Sequence, residues 1–309
     1  MLRSASFAWF SSVSSRLTRS VAACSALLTL GYFAACTPAS PNSAAHPASD
    51  TQNSSASGAY KSIAYRNVFL EHGKSQAEID AKLRLAYNTY FTPTDPNTLY
   101  FEMGPDMAYI KDILHDDIRS EGQSYGLMIA VQQNDQARFK KLWKFAFEKM
   151  RVKDPKHPSY RCFAWVVDPK GEMCDENSAP DGEEYFAMAL YFAHNRWGSA
   201  AGEGYDNYKH WADDLLDAVR HRQPISGNRS RRMDQGKDDG NPCTGTSTPE
   251  PVTSVALFDE AAKMVRFNGT QGENYTDPSY HLPAFYELFA EFGPKADSAW
   301  WKEVAVTSR

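Results

Sequence analysis

The amino-acid sequence predicts an all-α fold. After Tyr60, apolar side chains recur every three or four residues in several segments, which is the period that places them on one face of a helix. Repeated units of strand and helix, which would indicate a parallel sheet, do not stand out. Helical hairpins stacked in a ring would suit the number of helices that this pattern predicts.

The helices are predicted from their first turns and from the apolar faces that follow. Ser75 and Glu78 have the spacing of a capping box, in which each side chain accepts a hydrogen bond from a backbone N–H group of the other. Asp135 starts a second helical pattern. The one strand candidate is short, at 163–167, before a turn at 168–171. The predicted faces are, in chain order, Ile79, Leu83, Ala86 and Tyr90; Phe139, Leu142, Trp143, Ala146 and Met150; Tyr185, Met188, Ala189 and Phe192; Tyr208, Trp211, Leu215 and Val219; Leu282, Phe285, Tyr286 and Phe289; and Trp300, Trp301 and Val304.

The first 35 residues have the pattern of a secretory signal peptide. Arg3, Arg16 and Arg19 precede an apolar run at 21–35, which is shorter than the ~20 residues that a membrane-spanning helix needs. The run ends in Phe-Ala-Ala-Cys, which resembles the lipobox of bacterial lipoproteins and predicts a lipid anchor on Cys36. Ordinary signal cleavage, with Cys36 as an incidental residue, is the alternative. Both interpretations predict export, and the first predicts a membrane-anchored lipoprotein in the periplasm or on the cell surface.

Composition divides the rest of the chain. Residues 36–59 are mostly Ser, Ala, Pro, Thr and Asn, with too few apolar side chains for a core, and predict a flexible linker. Residues 60–309 predict the folded domain. A polar segment at about 222–251, with a basic cluster at 229–232, predicts a surface loop inserted into that domain.

Charge and cysteine content restrict the ligands. The chain has 33 Lys and Arg residues against 38 Asp and Glu, a net charge of −5, which argues against a nucleic-acid partner because such proteins carry clustered positive charge. Cys162 and Cys174 could pair across a short hairpin, which would leave Cys243 over. Their spacing fits no zinc pattern. The sequence therefore predicts neither a metal nor a cofactor.

Three polar clusters interrupt the apolar pattern, each near the start of a predicted helix and each with a carboxylate close to a tyrosine. They lie at 119–126, 179–185 and 276–283, and their carboxylates include Glu121, Asp181 and Asp277. Glycosidic cleavage uses two carboxyl groups on opposite sides of a sugar, one that protonates the leaving oxygen and one that activates water. The alternative is structural, because Asp suits an N-cap and Glu is favoured at the positive end of a helix.

The clusters carry a resemblance to a known family. The chain resembles glycoside hydrolase family 8 in Arg-Ser-Glu-Gly-Gln-Ser-Tyr-Gly at 119–126, Ala-Pro-Asp-Gly-Glu-Glu-Tyr-Phe-Ala-Met-Ala-Leu at 179–190 and Asp-Pro-Ser-Tyr-His-Leu-Pro-Ala-Phe-Tyr-Glu at 277–287. The similarity is in particular to the reducing-end xylose-releasing exo-oligoxylanases of that family. It extends from about Tyr65 to Arg309 and is interrupted mainly by the polar segment.

The resemblance implies an (α/α)6 barrel that hydrolyses β-1,4 linkages of xylo-oligosaccharides with inversion. By motif, Glu121 would be the general acid, Asp181 would bind and help distort the sugar at the cleavage point, and Tyr280 would line the same subsite. A Glu in a partly apolar cleft has a raised pKa and can hold its proton near neutral pH. His281 is expected to form hydrogen bonds that organise its loop.

Three further aromatic residues are candidates to stack on sugar faces: Trp165, Tyr125 and Tyr185. The alternative is that two of the three are core aromatics. The expected partner is an oligosaccharide or polysaccharide substrate, and the membrane would be contacted only through the lipid anchor at Cys36.

The sequence departs from the family in its last part. In the exo-oligoxylanases that it resembles, the general base is an Asp well after the Pro-Ser-Tyr motif, and no matching segment lies between Tyr280 and Arg309. The resemblance therefore predicts a barrel incomplete at its C-terminus, from a truncated chain or from one that has given up hydrolysis. Asp277 is the alternative base. The remaining alternatives are a catalytically inactive glycan-binding protein on the same fold and an endo-acting β-1,4-glucanase or chitosanase.

Overall fold

The structure, a computed structural model, describes residues 66–233 and 242–309. The predicted signal peptide at 1–35, the anchor at Cys36 and the predicted linker at 36–59 all lie outside these residues. None of the helices in the described segments is long and apolar enough to cross a membrane.

Eight α-helices lie within the described residues, and the two predicted first turns are formed. Ser75 Oγ accepts a hydrogen bond from the backbone N–H of Glu78 (3.3 Å), and Glu78 Oε2 accepts one from the backbone N–H of Ser75 (2.9 Å), so the capping box is confirmed. Asp135 caps its helix by accepting from the backbone N–H of Arg138 at 3.0 Å. The helices are α1 (Val68–Glu71), α2 (Gln76–Phe91), α3 (Ser120–Gln132), α4 (Gln136–Phe145), α5 (Pro180–Trp197), α6 (Tyr208–His221), α7 (Pro283–Phe292) and α8 (Ser298–Thr307).

Most helices bury the faces that their spacing predicts. α3 packs on α5, α5 on α6, and α7 on α8. The predicted face of α4 is fully buried, and it continues through a π-helical turn at Ala146–Met150. α2 is the exception, because Leu83 and Tyr90 are exposed and Phe91 is its buried residue.

Nine β-strands also lie in the described part of the chain. They are β1 (Tyr100–Met103), β2 (Met107–Ile110), β3 (Ile118–Arg119), β4 (Val166–Val167), β5 (Met173–Asp175), β6 (Ile225–Met233), β7 (Thr246–Ser254), β8 (Phe258–Asp259) and β9 (Met264–Val265). Five of them form one antiparallel sheet in the order β3-β4-β5-β6-β7. The prediction of an all-α fold, an all-helical barrel incomplete at its C-terminus, is therefore wrong. Strands of two or three residues are too short to show the two-residue period by which a strand is recognised.

In its described residues, the polar segment at 222–251 contains strands where its composition predicts a loop. β6 and β7 pair with each other over nine residues. β7 is the outer strand of the sheet and contains Pro249 and Pro251. Proline suits an edge strand because it has no N–H group to donate to a further neighbour.

Two contacts connect the hairpin of β6 and β7 to the segment that contains β5. Cys174 forms a disulfide with Cys243, and the guanidinium of Arg229 donates to the side-chain oxygen of Asn177 at 2.5 Å. The predicted pairing of Cys162 with Cys174 is therefore wrong. Cys162 is buried and has no disulfide partner among the described cysteines. The true partners are 69 residues apart in the sequence, so local spacing could not reveal them.

Candidate active site

The five-stranded sheet brings the starts of α3 and α5 together. α3 begins directly after β3, and α5 begins shortly after β5. The backbone of Trp165 lies between these segments, because its carbonyl accepts from the N–H of Ser120 (2.8 Å) and its N–H donates to the carbonyl of Asn177 (2.8 Å). These two hydrogen bonds align the chain segments that lead into Glu121 and Asp181.

Glu121 lies in the first turn of α3 and lines a cavity. Burial raises the pKa of its carboxyl group, although a backbone hydrogen bond and the charge of Arg119 oppose the shift. The Oγ atom of Ser120 lies 3.5 Å from Glu121 Oε2. A raised pKa keeps the carboxyl group protonated to higher pH, which a proton donor requires. The cavity has a volume of about 530 Å³, and its lining includes Arg119, Glu121, Gly122, Tyr125, Gly126 and Ile129.

Asp181 is the second residue of α5, after Pro180. It does not cap the helix, since Ala179 has the N-cap position and makes no side-chain cap with any described residue. Asp181 is only 7% exposed, and its Oδ1 atom has no hydrogen-bond partner among the described residues. Burial, reinforced by the charge of Glu121, raises the pKa of Asp181 to about 7. A buried polar atom without a partner costs free energy, and a ligand hydroxyl group would relieve that cost.

Two of the predicted stacking residues contact each other. Tyr125 and Tyr185 meet edge to face with ring centroids 4.6 Å apart, and Tyr185 also contacts Phe285 at 4.8 Å. Tyr125 is 42% exposed and lines the cavity, whereas Tyr185 is half-buried. Burial and the charge of Asp181 raise the pKa of Tyr125 to about 12. Tyr125 therefore has exposed surface at the cavity, and Tyr185 packs against its ring.

Trp165 and Tyr280 complete the predicted set. Trp165 is half-buried, with the guanidinium of Arg119 5.5 Å from its ring centroid, a distance typical of a cation–π contact. Tyr280 stacks in parallel on Phe267, with centroids 5.6 Å apart. Burial, followed by the charges of the two site carboxylates, raises the pKa of Tyr280. Tyr280 therefore lies within electrostatic range of both carboxylates.

Asp277 and His281 organise the loop before α7. Asp277 caps the 3-10 helix Pro278–Tyr280, since its Oδ1 atom accepts from the Oγ–H and the backbone N–H of Ser279 at 2.7 and 2.8 Å. These hydrogen bonds lower the pKa of Asp277, which keeps it charged at neutral pH. The Nε2 atom of His281 lies 2.8 Å from Thr276 Oγ1, a contact within the loop of the kind expected from the sequence.

Two buried glutamates, Glu183 and Glu184, follow Asp181 within the motif at 179–190, and the sequence alone assigns a role to neither. The Oε1 atom of Glu183 accepts from the backbone N–H of Phe163 at 2.9 Å, and burial raises the pKa of Glu183 to about 8. Glu184 contacts the hydroxyl group of Tyr286. In the sequence they are recognisable only as two adjacent acidic residues at the start of an otherwise apolar helix. Within residues 66–233 and 242–309, no group of three or more His, Cys, Asp or Glu side chains could hold a metal ion.

Comparison with known proteins gives a family match over one part of the candidate site. The model for glycosyl hydrolases family 8 matches residues 114–215. That segment contains Glu121, Tyr125, Trp165 and Asp181, so both carboxylates and the tryptophan that connects their backbones belong to it.

Individual relatives extend the similarity over most of the chain. The reducing-end xylose-releasing exo-oligoxylanase of Paenibacillus barcinonensis is 36% identical over 257 residues, which cover 83% of this chain and 59% of the relative. A solved structure of a family 8 xylanase mutant from Teredinibacter turnerae, in complex with xylohexaose, is similar with a TM-score of 0.71 and 38% identity over 81% of this chain and 60% of that one. Endoglucanase C of Ruminiclostridium cellulolyticum is 26% identical over 187 residues, 60% of this chain and 31% of the relative. The chain thus spans about 60% of the length of the first two proteins.

Proposed function

Because this chain belongs to glycosyl hydrolase family 8, we propose that it hydrolyses β-1,4 linkages of xylo-oligosaccharides with inversion and that Glu121 is the general acid. The observation that carries the proposal is that Glu121 and Asp181 lie at the starts of two helices, close enough for their charges to interact, and that Glu121 lines a cavity of about 530 Å³. The xylose-releasing relative and the xylohexaose complex of the similar xylanase support the choice of sugar.

Glu121 has the environment of a proton donor. Burial raises the pKa of its carboxyl group, so the proton is held near neutral pH until the glycosidic oxygen accepts it. Asp181 supplies a buried carboxyl oxygen without a described partner, which we assign to a hydroxyl group of the sugar at the cleavage point. Tyr280, which is electrostatically coupled to both carboxylates, is assigned to the same subsite.

Sugar rings would be held by the aromatic residues around the carboxylates. Tyr125 is the most exposed of these candidates and lines the cavity. The guanidinium group of Arg119 lies over the Trp165 ring. Aromatic rings stack well on the apolar faces of sugars while hydrogen bonds take up the hydroxyl groups. Tyr185, in contact with Tyr125 and Phe285, holds the exposed ring in place.

Inversion requires a second carboxylate that activates water on the opposite face of the sugar. In the exo-oligoxylanases that the chain resembles, this base is an Asp well after the Pro-Ser-Tyr motif, and the residues from Tyr280 to Arg309 contain no segment that matches it. Asp277 is the alternative, because it is charged at neutral pH and its charge contributes to the raised pKa of Asp181. An Asp277→Asn variant that retains full turnover of xylotriose would exclude Asp277 from this role.

The proposal is tested by product analysis with the protein that carries this chain. Xylotriose should give xylose and xylobiose, and NMR of the first product should show the α anomer at the new reducing end, as inversion requires. A Glu121→Ala variant should give no product. Saturable binding of xylotriose without any product after long incubation would instead indicate a catalytically inactive glycan-binding protein.

Endo-cleavage of a β-1,4-glucan is the second candidate, and the similarity to endoglucanase C favours it. Product size separates the two, because an exo-acting enzyme releases monomer from the first turnovers and an endo-acting enzyme releases longer oligomers. Xylan, mixed-linkage glucan and chitosan should therefore be compared as long substrates. Monomer release from xylan alone would support the exo-oligoxylanase proposal.

We also propose that the protein is exported and anchored through a lipid on Cys36. The disulfide between Cys174 and Cys243 supports export, because disulfides form and persist in oxidising compartments. A Cys36→Ser variant should move from the membrane fraction to the soluble exported fraction. Equal membrane association of the variant and the wild type would contradict the anchor.

A further inference from the structure

Asp181 and Glu184 lie three residues apart on α5, on one face of its first turns. Glu184 is buried, with 2% of its surface exposed. Its two carboxyl oxygens lie 3.1 and 3.2 Å from the hydroxyl oxygen of Tyr286, a residue of α7. This contact joins the helix that carries Asp181 to the helix that follows the Tyr280 turn.

The same hydroxyl group reaches the Tyr280 backbone. Tyr286 Oη lies 3.1 Å from the carbonyl oxygen of Tyr280. The Tyr286 ring is fully buried and contacts Phe258 and Trp301, with centroid distances of 5.6 and 5.9 Å. The hydroxyl oxygen therefore has a fixed position between Glu184 and the Tyr280 carbonyl.

The directions of these hydrogen bonds follow from the number of protons. A carbonyl oxygen can only accept, so the single hydroxyl proton of Tyr286 goes to the Tyr280 carbonyl. Burial raises the pKa of Glu184 well above its ordinary value, so its carboxyl group keeps a proton and donates it to Tyr286 Oη. The three groups then form one continuous chain of hydrogen bonds, which is costly to interrupt inside a protein.

From this geometry, and resting on the proposed function, we propose that Glu184 and Tyr286 are positioning residues that hold Tyr280 in place relative to Asp181 and thereby set the affinity for the sugar at the cleavage point. Tyr280 is the last residue of a single 3-10 turn, and the turn has short local hydrogen bonds of its own, such as Tyr280 N–H to the Asp277 carbonyl at 3.0 Å. The hydrogen bonds through Tyr286 connect this turn directly to α5.

The test uses Tyr286→Phe, which removes one hydroxyl group, and Tyr191→Phe as its matched control. Tyr191 is also fully buried, lies on α5, and donates its hydroxyl proton to Asp213 Oδ1 at 2.7 Å. It is ten residues beyond Asp181, or ~15 Å along the helix. Both variants should lower the Tm, and Tyr286→Phe should lower it more, since it loses hydrogen bonds to Glu184 and to Tyr280 whereas Tyr191→Phe loses only the one to Asp213.

Xylotriose affinity should separate the two variants. Tyr286→Phe should raise the Kd for xylotriose about tenfold, the loss expected when one well-placed hydrogen bond no longer fixes the site, and Tyr191→Phe should leave the Kd unchanged. Glu184→Gln should bind like the wild type, because its amide group can still donate to Tyr286 Oη, whereas Glu184→Leu should bind like Tyr286→Phe. Equal Kd values for Tyr286→Phe and Tyr191→Phe would overturn the proposal.

A readout without sugar keeps this proposal separate from the proposed function. Backbone amide exchange at 279–281 should be faster in Tyr286→Phe than in both Tyr191→Phe and the wild type. A wild type that neither binds nor cleaves xylotriose would overturn the proposed function, while faster exchange would still support the positioning of Tyr280. Unchanged exchange at 279–281 would overturn the positioning role, whatever the sugar.

Discussion

A Cβ atom placed on Gly182 would lie 2.7 Å from the Oγ atom of Ser120 and 2.8 Å from its Cβ atom. Gly182 follows Asp181, and Ser120 precedes Glu121. This contact therefore lies directly next to both site carboxylates in the chain. Real Cβ atoms are not found this close to another heavy atom. The absent side chain of Gly182 therefore sets how closely α5 approaches α3.

A Gly182→Ala variant is expected to separate the two helix starts. Overpacking of this kind costs about 1–3 kcal/mol of the free energy of unfolding, and the displacement of Asp181 from Glu121 should lower xylotriose turnover. The double variant Ser120→Gly/Gly182→Ala should recover much of both, because it removes the two closest atoms. Chemical denaturation and turnover of the four proteins form a double-mutant cycle.

Gly122→Ala is the matched control for stability. It lies in the first turn of α3, and its added Cβ atom would be 3.8 Å from Ile110 Cγ2, an ordinary contact distance. This variant should unfold at the same or a higher denaturant concentration than the wild type, since Ala favours a helix more than Gly does. If Gly182→Ala were as stable as Gly122→Ala, the close approach to Ser120 would not determine the helix spacing.

The helices are predictable from the sequence because their signals are local. Ser75 and Glu78 lie within one turn, and the face that starts at Phe139 repeats with the helical period, so spacing alone shows which side is buried. The sheet has no such signal. β3, β4 and β5 are very short, and β6 and β7 consist mainly of polar residues whose strand conformation depends on their partners.

The candidate site divides in the same way. Its motifs place Glu121 and Asp181 near the starts of helices, and the structure has them there. Their approach depends on backbone hydrogen bonds through Trp165, which no local pattern reveals. The contact between Glu184 and Tyr286 joins residues 102 positions apart, so it too required the folded chain.

Replacement of Glu121 by Gln should strongly reduce turnover and preserve binding. The amide keeps the shape of the carboxyl group and cannot give up a proton to the leaving oxygen, so kcat for xylotriose should fall by about 10²–10⁴-fold. The Kd for xylotriose should change little, which isothermal titration can measure. Glu287→Gln, an exposed carboxylate that pairs with Arg309, is the control and should keep full turnover. Turnover within tenfold of the wild type would remove Glu121 from the general-acid role.

Loss of the disulfide should destabilise the chain. Cys243→Ser removes the covalent link between Cys174 and the β6–β7 hairpin, and a native disulfide contributes about 2–4 kcal/mol to the free energy of unfolding. Thermal unfolding should therefore occur at a lower temperature in the variant. A reductant should lower the Tm of the wild type to the same level and leave Cys243→Ser unchanged. A reductant that shifts both proteins equally would show that another effect is responsible.

The buried carboxyl groups at the start of α5 should make stability depend on pH. Burial raises the pKa of Asp181 to about 7 and that of Glu183 to about 8, whereas both groups ionise near pH 4 in the unfolded chain. Between these values the folded protein binds more protons than the unfolded chain does. The free energy of unfolding should therefore fall as the pH rises from about 4 to about 8.

Glu183→Gln isolates one of these groups. The amide oxygen can still accept from the backbone N–H of Phe163, but the side chain no longer ionises. Relative to the wild type, its free energy of unfolding should rise by about 2–4 kcal/mol between pH 5 and pH 8, because only the wild type has to keep a buried carboxyl group from ionising. Glu78→Gln is the control, since a hydrogen bond from the backbone N–H of Ser75 lowers the pKa of the exposed Glu78. Above about pH 5 this carboxyl group is ionised in the folded and the unfolded chain alike, so its replacement should leave the change in stability between pH 5 and pH 8 as it is in the wild type. Chemical denaturation at pH 5 and pH 8 measures these free energies of unfolding. Parallel pH profiles for Glu183→Gln and the wild type would show that Glu183 does not hold a proton in the folded chain.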